Sequence, residues 1–368
     1  MQRFETDRGG RGALAERTSC VGTLQPGTQT FCLSMIASSA SLSGMPLTFR
    51  VAVFAALAVA GCSNNSGNTL ATCDPLTSAP AAAGPQWKGG TVFTVVMENR
   101  SRGEILGNRQ APYINQLAND NAVAEGYHDS FVHPSEPNYI WMVAGQNFGI
   151  LDNGDPASHH LDSRSHIADQ IEAAGLTWKS YQESMGEPCG LISHGRYAAK
   201  HNPLAHFNDV NGWDGKTFHP EQRCNAHIVD YSEIDADIAN HALPSYVFIT
   251  PNLDNDMHDG PIGLGDSWLA NELPKLMATD NYKNNGVIFL LWDEGGGSPA
   301  SDDPPFIAIS PNAVRGMRSQ VDYDTSSYLK TVQNILGLGE LPCAETSTRS
   351  TVDTMSDLFT VPMASAGR

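Results

Sequence analysis

The sequence predicts an α/β domain whose central sheet is mostly parallel and is covered by helices on both faces. Its strand segments are continuous hydrophobic runs, which is typical of strands buried on both sides. Segments with strand and helix patterns alternate along the chain. The 368 residues, 40% hydrophobic and 17% charged, suffice for one large domain or two smaller ones.

The predicted elements follow one another from residue 91 onward. Runs rich in β-branched and aromatic residues predict strands at 91–97, 126–133, 176–184, 245–250, 286–292 and 305–310. Apolar residues at helical spacing predict helices at 111–124, 163–174 and 326–337. Residues 185–230 contain Gly, Pro, His and two cysteines without a clear period, and we interpret them as an insertion over the sheet edge.

The N-terminal part of the chain has the pattern of an export signal. Residues 45–61 combine a basic residue, a short apolar run and small residues, which indicates a secretory signal too short to span a membrane. The residues before Cys62 resemble a bacterial lipobox. This resemblance implies a lipid on Cys62 and, because Ser63 follows, an outer-membrane or cell-surface location. A buried apolar helix is the alternative interpretation.

These signals divide the chain into parts. We interpret residues 1–44 as an over-long gene start and residues 62–86, rich in Ser, Asn, Ala and Pro, as a flexible tether. The folded domain is expected at residues 87–362. The net charge of −18 argues against a nucleic-acid partner and leaves the lipid as the expected attachment to a membrane.

Four cysteines remain beyond the leader and the lipidated residue: Cys73, Cys189, Cys224 and Cys343. An even number in an exported protein indicates disulfides, and three pairings are possible. We favour Cys189–Cys224, within the insertion, and Cys73–Cys343, which would join the two ends of the domain. Free buried thiols are the alternative.

Polar residues follow three of the predicted strands. They are Glu98 and Asn99, then Asn252 with the acids after it, then Asp293 and Glu294. In open α/β sheets the ligand crevice lies beyond the carboxyl ends of the strands. Their oxygen atoms suit Ca²⁺, Mg²⁺ or Mn²⁺ better than a thiolate-seeking metal. A single acid after a strand usually marks only the point where the chain leaves the core. Polar residues after three strands together predict a site for one divalent cation.

Ser135 lies between two prolines in the stretch HPSEPNY, residues 133–139, ahead of an apolar segment. Pro134 and Pro137 restrict the backbone on either side of it. The serine is either an ordinary helix N-cap or an exposed hydroxyl at the mouth of a site. A divalent cation nearby would lower the pKa of the hydroxyl and align it for attack on an electrophile such as a phosphate ester.

Two histidines are candidates for the rest of the chemistry. His258 lies between Asp256 and Asp259, either of which could orient it, and His201 follows the cationic Lys200. A charged histidine could bind phosphoryl oxygens, and one histidine could protonate the leaving alcohol. Taken singly, each is more often a surface or structural residue.

The order Glu98-Asn99, HPSEPNY, KHNP, TPNLDNDMHD and LWDEGGG resembles the bacterial phosphoesterase family of acid phosphatases and phospholipases C. The resemblance covers most of residues 91–338, and the family lies in the alkaline-phosphatase-like superfamily. It implies a three-layer α/β/α sandwich and a phosphorylated-enzyme mechanism. It also implies site residues: Ser135 as nucleophile, His201 and His258 as catalytic groups, Asn138 and Lys200 at the substrate, and Glu98, Asn99, Asp293, Glu294 and the Ser135 oxygen at the metal.

The chain departs from the family pattern at one place. Family members have a histidine before the closing helix, in a YDHYS-like stretch, where this sequence has Thr325. The departure puts a second metal in doubt, so we expect one divalent metal ion, which is Ca²⁺, Mg²⁺, Mn²⁺ or Zn²⁺. The oxygen-rich ligand set weakens the zinc pair common in the superfamily.

The expected function is that of an exported, lipid-anchored acid phosphatase that hydrolyses phosphomonoesters, including phosphoinositide or other phospholipid-derived ones, through a phosphoserine. A phospholipase C-type phosphodiesterase is the first alternative, because the same core serves both reactions. A non-catalytic surface-binding lipoprotein is the second alternative.

Overall fold

The computed structural model describes residues 87, 90–221, 223–297, 301–339, 341 and 353–362. All of them fall within one compact unit, residues 69–368. The predicted signal, the tether and Cys62 lie outside the described residues.

Eight strands form one sheet in the described part of the chain. They are β1 (Val92–Met97), β2 (Ala122–Ala124), β3 (Trp178–Gln182), β4 (Ile228–Asp230), β5 (Tyr246–Thr250), β6 (Val287–Trp292), β7 (Phe306–Ile309) and β8 (Arg318–Ser319). The strand order is β4-β3-β5-β1-β6-β7-β2-β8. Only β7 pairs antiparallel with its neighbours, β6 and β2, whereas the other described neighbours run parallel. The prediction of a mostly parallel sheet is confirmed.

The helices are α1 (Arg102–Ile105), α2 (Pro112–Asp120), α3 (Ser135–Ala144), α4 (Ile167–Ala173), α5 (Asn208–Asn211), α6 (Cys224–His227), α7 (Ile234–Ala239), α8 (Ile262–Met277), α9 (Asp280–Lys283) and α10 (Thr325–Leu336). Short 3₁₀ helices cover Ala199–His201, Pro203–His206, Tyr231–Glu233 and Ser356–Leu358. Within the described residues, no helix is both long and apolar enough to cross a membrane.

The sheet separates two apolar cores. Val92 and Val96 of β1 pack into a core with α3, α4 and α10, whereas Phe93, Val95 and Met97 pack into a second core with α2 and α8. Successive side chains of a strand point to opposite faces, so a continuous apolar run serves both cores. The three-layer α/β/α arrangement is therefore confirmed.

Before Ser135, one predicted helix is confirmed but is shorter than expected, and one predicted strand is wrong. The predicted helix 111–124 ends at Asp120, because the side chain of Asn121 donates to the carbonyl of Leu117 (3.0 Å) and the chain then enters β2. The predicted strand 126–133 is irregular. Its Asp129 carboxylate accepts the N–H of Phe131 (2.7 Å), whose positive φ of 56° interrupts extended geometry.

Residues 185–230 are more integrated than an insertion over the sheet edge. They end in β4, which itself forms the edge of the sheet beside β3, and they bury Leu204 and Phe207 in the core of α3 and α4. The apolar positions of this segment are too widely spaced to produce a periodic signal in the sequence.

Cys189 and Cys224 form a disulfide, as predicted. Both cysteines are buried, and the bond joins the loop after β3 to the start of α6. Cys73 and Cys343, the other favoured pair, lie outside the described residues.

Candidate active site

The central strand pair brings the predicted carboxylates together. β1 and β6 are parallel neighbours, and Met97 at the end of one pairs with Trp292 at the end of the other. Glu98 and Asp293, each next in sequence, are therefore adjacent and fully buried. The backbone N–H of Asn99 donates to Asp293 Oδ1 (3.1 Å), which fixes the two strand ends relative to each other.

Ser135 is the first residue of α3, and its hydroxyl points at these carboxylates. Pro134 occupies the N-cap position with extended backbone, so Ser135 is not the N-cap. The Ser135 Oγ instead donates to Glu98 Oε2 at 3.1 Å, in surroundings where only 2% of the serine is exposed. The serine is therefore neither an ordinary cap nor an exposed hydroxyl, but a buried hydroxyl directed at the carboxylates.

The start of α3 offers few backbone donors to an anion. Pro137 has no N–H, and the N–H of Glu136 already donates to Asn153 Oδ1 (3.1 Å). The Glu136 side chain lies beneath the helix start and accepts from His159 Nδ1 (2.9 Å). A phosphate at Ser135 would therefore depend on side chains more than on the helix terminus.

Asn138, one turn after Ser135, contacts a predicted metal ligand. Its side-chain Nδ2 donates to the carbonyl of Val132 (2.6 Å) and to Glu294 Oε2 (3.3 Å). His133 Nδ1 lies 2.6 Å from the same carboxylate oxygen. Asn138 thus lies at the site and helps to hold Glu294 in place.

His201 lies on the opposite side of Glu98. It is buried, its ring stacks on Tyr139 with centroids 4.8 Å apart, and its Nε2 lies 3.2 Å from Glu98 Oε1, although the angles are not those of a hydrogen bond. Burial first, then the charges of Lys200 and His258, lower the pKa of His201 well below its ordinary value. His201 is therefore neutral at pH 7, which corrects the expectation of a charged imidazole at this position.

Asp256 is a site residue that the sequence interpretation assigned a different role. Its Oδ2 lies 3.9 Å from His201 Nδ1, and Glu98, His201 and Asp256 form a cluster whose ligand atoms could share a metal ion. The sequence analysis includes Asp256 among the acids after Asn252 and as a possible partner of His258, but does not name it as a metal ligand.

His258 lies at the rim of the site, and Asp259 orients it. Its Nδ1 lies 2.7 Å from Asp259 Oδ1, and its ring centroid lies 6.2 Å from that of His201. Asp259 is held in turn by Arg196 Nη1 (2.7 Å). Of the two predicted partners, Asp259 therefore contacts the imidazole, whereas Asp256 accepts only the backbone N–H of His258 (2.7 Å).

The buried carboxyl groups resist losing their protons. Burial, followed by repulsion from Asp293 and Asp256, raises the pKa of Glu98 well above its ordinary value. Burial and then Glu294 raise the pKa of Asp293 to about 7, and burial also raises that of Asp256. Crowded carboxyl groups of this kind are stable as anions only when a cation neutralises them.

The donor set fits a divalent metal ion. Several buried oxygen atoms at the site have no hydrogen-bond partner in the described part of the chain: Glu98 Oε1, Asn99 Oδ1, Asp256 Oδ2 and Asp293 Oδ2. Buried polar atoms normally find a partner, so several unpaired oxygens on neighbouring residues indicate an ion, and those of Glu98 and Asp256 belong to one cluster that could hold it. Their chemistry agrees with the predicted preference for hard cations.

Thr325, which stands where the family pattern has a histidine, begins α10 and is fully buried. Its hydroxyl is 3.3 Å from the hydroxyl of Tyr127. Threonine offers no imidazole nitrogen, so this position supplies neither a strong metal ligand nor a proton donor of moderate pKa.

A family model described as the phosphoesterase family matches residues 66–339, which is most of the chain. The chain belongs to the phosphoesterase family. The match includes every residue of the candidate site, from Glu98 to Glu294, and confirms the resemblance carried by the five sequence motifs.

Three relatives show the range of this phosphoesterase family. Phosphatidylinositol-3-phosphatase of Mycobacterium tuberculosis is 34% identical over 58% of this chain and 66% of its own length. A probable acid phosphatase of Kluyveromyces lactis is 27% identical over 66% and 56%. A non-hemolytic phospholipase C of Burkholderia pseudomallei is 24% identical over 53% and 30%. The chain thus spans less than two thirds of the length of these relatives.

Among solved structures, a protein in the alkaline phosphatase superfamily from Vibrio parahaemolyticus is similar to this chain with a TM-score of 0.48. The two are 10% identical, and the similarity covers 75% of this chain and 76% of that one.

Proposed function

We propose that this phosphoesterase is a metal-dependent acid phosphatase that hydrolyses phosphomonoesters through a phosphoserine at Ser135. The observation that carries the proposal is the hydrogen bond from Ser135 Oγ to Glu98 Oε2, inside a buried group of carboxylates at the strand ends. Family membership supports phosphoric ester chemistry. Phosphoinositides and other phospholipid-derived monoesters are the substrates proposed, by analogy with the phosphatidylinositol-3-phosphatase relative.

In the first step, Ser135 Oγ attacks phosphorus, its bond to phosphorus forms and the bond from phosphorus to the ester oxygen breaks. Glu98 Oε2 accepts the hydrogen bond of the attacking hydroxyl and is placed to receive its proton. The leaving alkoxide takes a proton from solvent or from His258, whose Nδ1 is held by Asp259. Water then cleaves the phosphoserine, which releases phosphate and restores the serine.

Glu98, Asn99, Asp293, Glu294 and the Ser135 oxygen would hold one divalent cation, with Asp256 next to them. When bound, the cation would supply positive charge against the transferring phosphoryl group. Lys200 adds a second positive charge near the site. Its charge lowers the pKa of both Glu98 and His201. The neutral His201 is placed to hydrogen-bond a phosphoryl oxygen, not to neutralise it.

Export and membrane attachment form a further part of the proposal. The signal pattern of residues 45–61 and the lipobox resemblance at Cys62 support a lipid-anchored protein at the outer membrane or cell surface, otherwise a periplasmic or secreted one. The Cys189–Cys224 disulfide agrees with an oxidising compartment.

The proposal is tested with p-nitrophenyl phosphate and bis-p-nitrophenyl phosphate on the full chain, with and without EDTA. We expect monoester turnover that EDTA abolishes and that Ser135→Ala lowers by roughly 10³-fold or more. Ser267→Ala is the matched control, because Ser267 lies on the exposed face of α8 and bonds only Gly263 among the described residues. It should leave turnover unchanged.

Other outcomes would redirect the assignment. Turnover of the diester alone would favour the phospholipase C-type alternative. The similarity to the phospholipase C from Burkholderia pseudomallei supports that alternative. Turnover that survives in Ser135→Ala would exclude this serine as the nucleophile. No turnover with either ester and any of the four metals, together with ligand binding that Ser135→Ala leaves unchanged, would favour a non-catalytic binding lipoprotein.

A further inference from the structure

A second group of possible metal ligands lies on the far side of Glu294. It consists of His133, Asp129 and Asp302, which we call the His133 cluster. The His133 Nε2 lies 3.2 Å from Asp302 Oδ1 and 4.0 Å from Asp129 Oδ2. The cluster shares no residue with the predicted metal site at Ser135.

The orientation of the His133 ring is fixed from the opposite edge. Its Nδ1 lies 2.6 Å from Glu294 Oε2, so the Nδ1 proton is donated to that carboxylate and Nε2 faces the two aspartates. Metal-binding histidines commonly donate their other ring N–H to a carboxylate in this way, which sets the tautomer that leaves Nε2 free to bind.

The two aspartates are held close together by the backbone. The N–H of Asp129 donates to the carbonyl of Asp302 (3.2 Å), which joins the segment before Ser135 to the loop after β6. Asp129 Oδ1 is used by the N–H of Phe131 (2.7 Å). The second oxygen, Oδ2, is turned toward His133.

Asp129 Oδ2 is the observation that points to a ligand. Asp129 is fully buried, and this oxygen has no hydrogen-bond partner among the described residues. The Nε2 of His133 carries at most one proton, and at 3.2 Å that proton serves Asp302. An ion pair between His133 and Asp302 therefore leaves Asp129 Oδ2 without a hydrogen-bond donor. A cation, in contrast, can bind all three groups at once.

The spacing also suits coordination. Two ligand atoms that are each about 2.1 Å from a metal lie roughly 3.0–3.4 Å apart in octahedral or tetrahedral geometry. The 3.2 Å between His133 Nε2 and Asp302 Oδ1 falls in this range, and Asp129 Oδ2 needs a shift of under about 1 Å. Asp302 is 38% exposed, so an ion can enter from solvent.

We propose that His133, Asp129 and Asp302 form a second divalent cation site, distinct from the one at Ser135, for a first-row transition metal such as Mn²⁺ or Zn²⁺. One imidazole nitrogen with two carboxylate oxygens favours such a metal over Ca²⁺ or Mg²⁺. The His133 hydrogen bond to Glu294 links the two sites, so an ion in the His133 cluster would help to fix a ligand of the other.

The test counts Mn²⁺ ions bound by the full chain, after metal removal, from the free-ion electron paramagnetic resonance signal at micromolar concentrations. Wild type should bind two equivalents. Asp302→Asn should bind one, Asp293→Asn should also bind one, and the double variant should bind none. Asp303→Asn is the matched control, because the neighbouring carboxylate bonds Ser301 and lies outside the cluster, and it should bind two.

The results that would overturn the proposal are clear. A wild type that binds one equivalent, lost in Asp293→Asn, would leave the His133 cluster as an ion pair without metal. Two equivalents retained in Asp302→Asn would exclude it as a ligand. Asp129→Asn, which keeps the size of the buried side chain, provides a second variant if circular dichroism shows Asp302→Asn misfolded. Two equivalents retained in Asp293→Asn with one in Asp302→Asn would instead contradict the proposed metal site at Ser135.

Discussion

At the scale of single residues, the behaviour of the site depends on carboxyl groups that repel one another. Glu98, Asp256 and Asp293 are fully buried. The charges of Asp293 and Asp256 raise the pKa of Glu98, and the charge of Asp293 also raises that of Asp256. The arrangement is unfavourable in isolation and becomes favourable only with a bound cation. Metal affinity and stability of the metal-free protein should therefore respond in opposite directions when one carboxylate is removed.

Asp256→Asn tests this opposition. We expect Mn²⁺ affinity to fall by about tenfold or more, because one carboxylate charge is lost from the site while the fold is kept. The metal-free variant should be more stable than wild type by about 1 kcal/mol, because one buried repulsion is gone. Titration calorimetry and urea unfolding in EDTA measure the two quantities.

Asp254→Asn is the control for that experiment. Asp254 lies on the same loop but pairs with Arg196 (3.0 Å) at the surface, so its replacement should change neither quantity appreciably. Equal effects in the two variants would mean that Asp256 acts only through the overall charge of the loop.

The sequence predicts much of the site at this scale. Glu98 and Asp293 could be found because each follows a continuous apolar run, and runs that pair in parallel end at the same edge. Asp256 could not be placed in the same way, since it lies six residues beyond its strand in a turn whose path depends on tertiary contacts. The neutral state of His201 depends on burial, which no local pattern reveals.

At the scale of elements, the disulfide supports a segment with little regular structure. It joins Cys189 to Cys224 across a sequence separation of 35. By the chain-entropy argument, a loop of this length is stabilised by roughly 3–4 kcal/mol. The segment it closes includes the 3₁₀ helix that carries His201.

Replacing both cysteines by serine should therefore lower the free energy of unfolding by roughly 3–4 kcal/mol, as measured by urea denaturation. Dithiothreitol should produce at least the same loss in wild type, and a larger one if Cys73 and Cys343 are also bonded. A further loss when the double variant is reduced would indicate the second pair, Cys73–Cys343. No loss in the double variant would show that packing alone holds the segment.

Strands were predictable from the sequence where a long apolar run determines the local structure. Long apolar runs such as that of β6 leave no alternative to a buried strand, and their bounds agree with the structure within one residue. The segment 126–133 mixes aromatic residues and one valine with polar residues, and Asp129 and Phe131 form a side-chain turn that competes with strand pairing. β4 is only three residues long, too short for a periodic pattern.

At the scale of the whole molecule, the raised pKa values link global stability to pH. Burial and Glu294 raise the pKa of Asp293 to about 7, from an ordinary value of 3.8. The folded, metal-free protein thus holds a proton that the unfolded chain has released. The contribution of Asp293 to the stability of the metal-free protein is fully present below the unfolded pKa. This contribution is lost as the pH rises through about 7.

For metal-free protein, we expect the free energy of unfolding relative to Asp293→Asn to fall by roughly 2–4 kcal/mol between pH 5 and pH 8. Urea denaturation in EDTA at both pH values provides the comparison. Saturating Mn²⁺ should remove the fall, because binding favours the deprotonated carboxylate. An unchanged difference between the two proteins across this range would contradict the raised pKa.

The pairing of β1 with β6 has a consequence for when the protein becomes active. Asn99 and Asp293, bonded to each other at the strand ends, are separated by 194 positions in the chain. Contacts between such distant positions form late in folding, because a long loop must close first. A growing chain that has not yet reached β6 holds only half of the carboxylates. Assembly of the candidate site therefore requires completion of the central sheet, and a chain that lacks β6 lacks the carboxylates of Asp293 and Glu294.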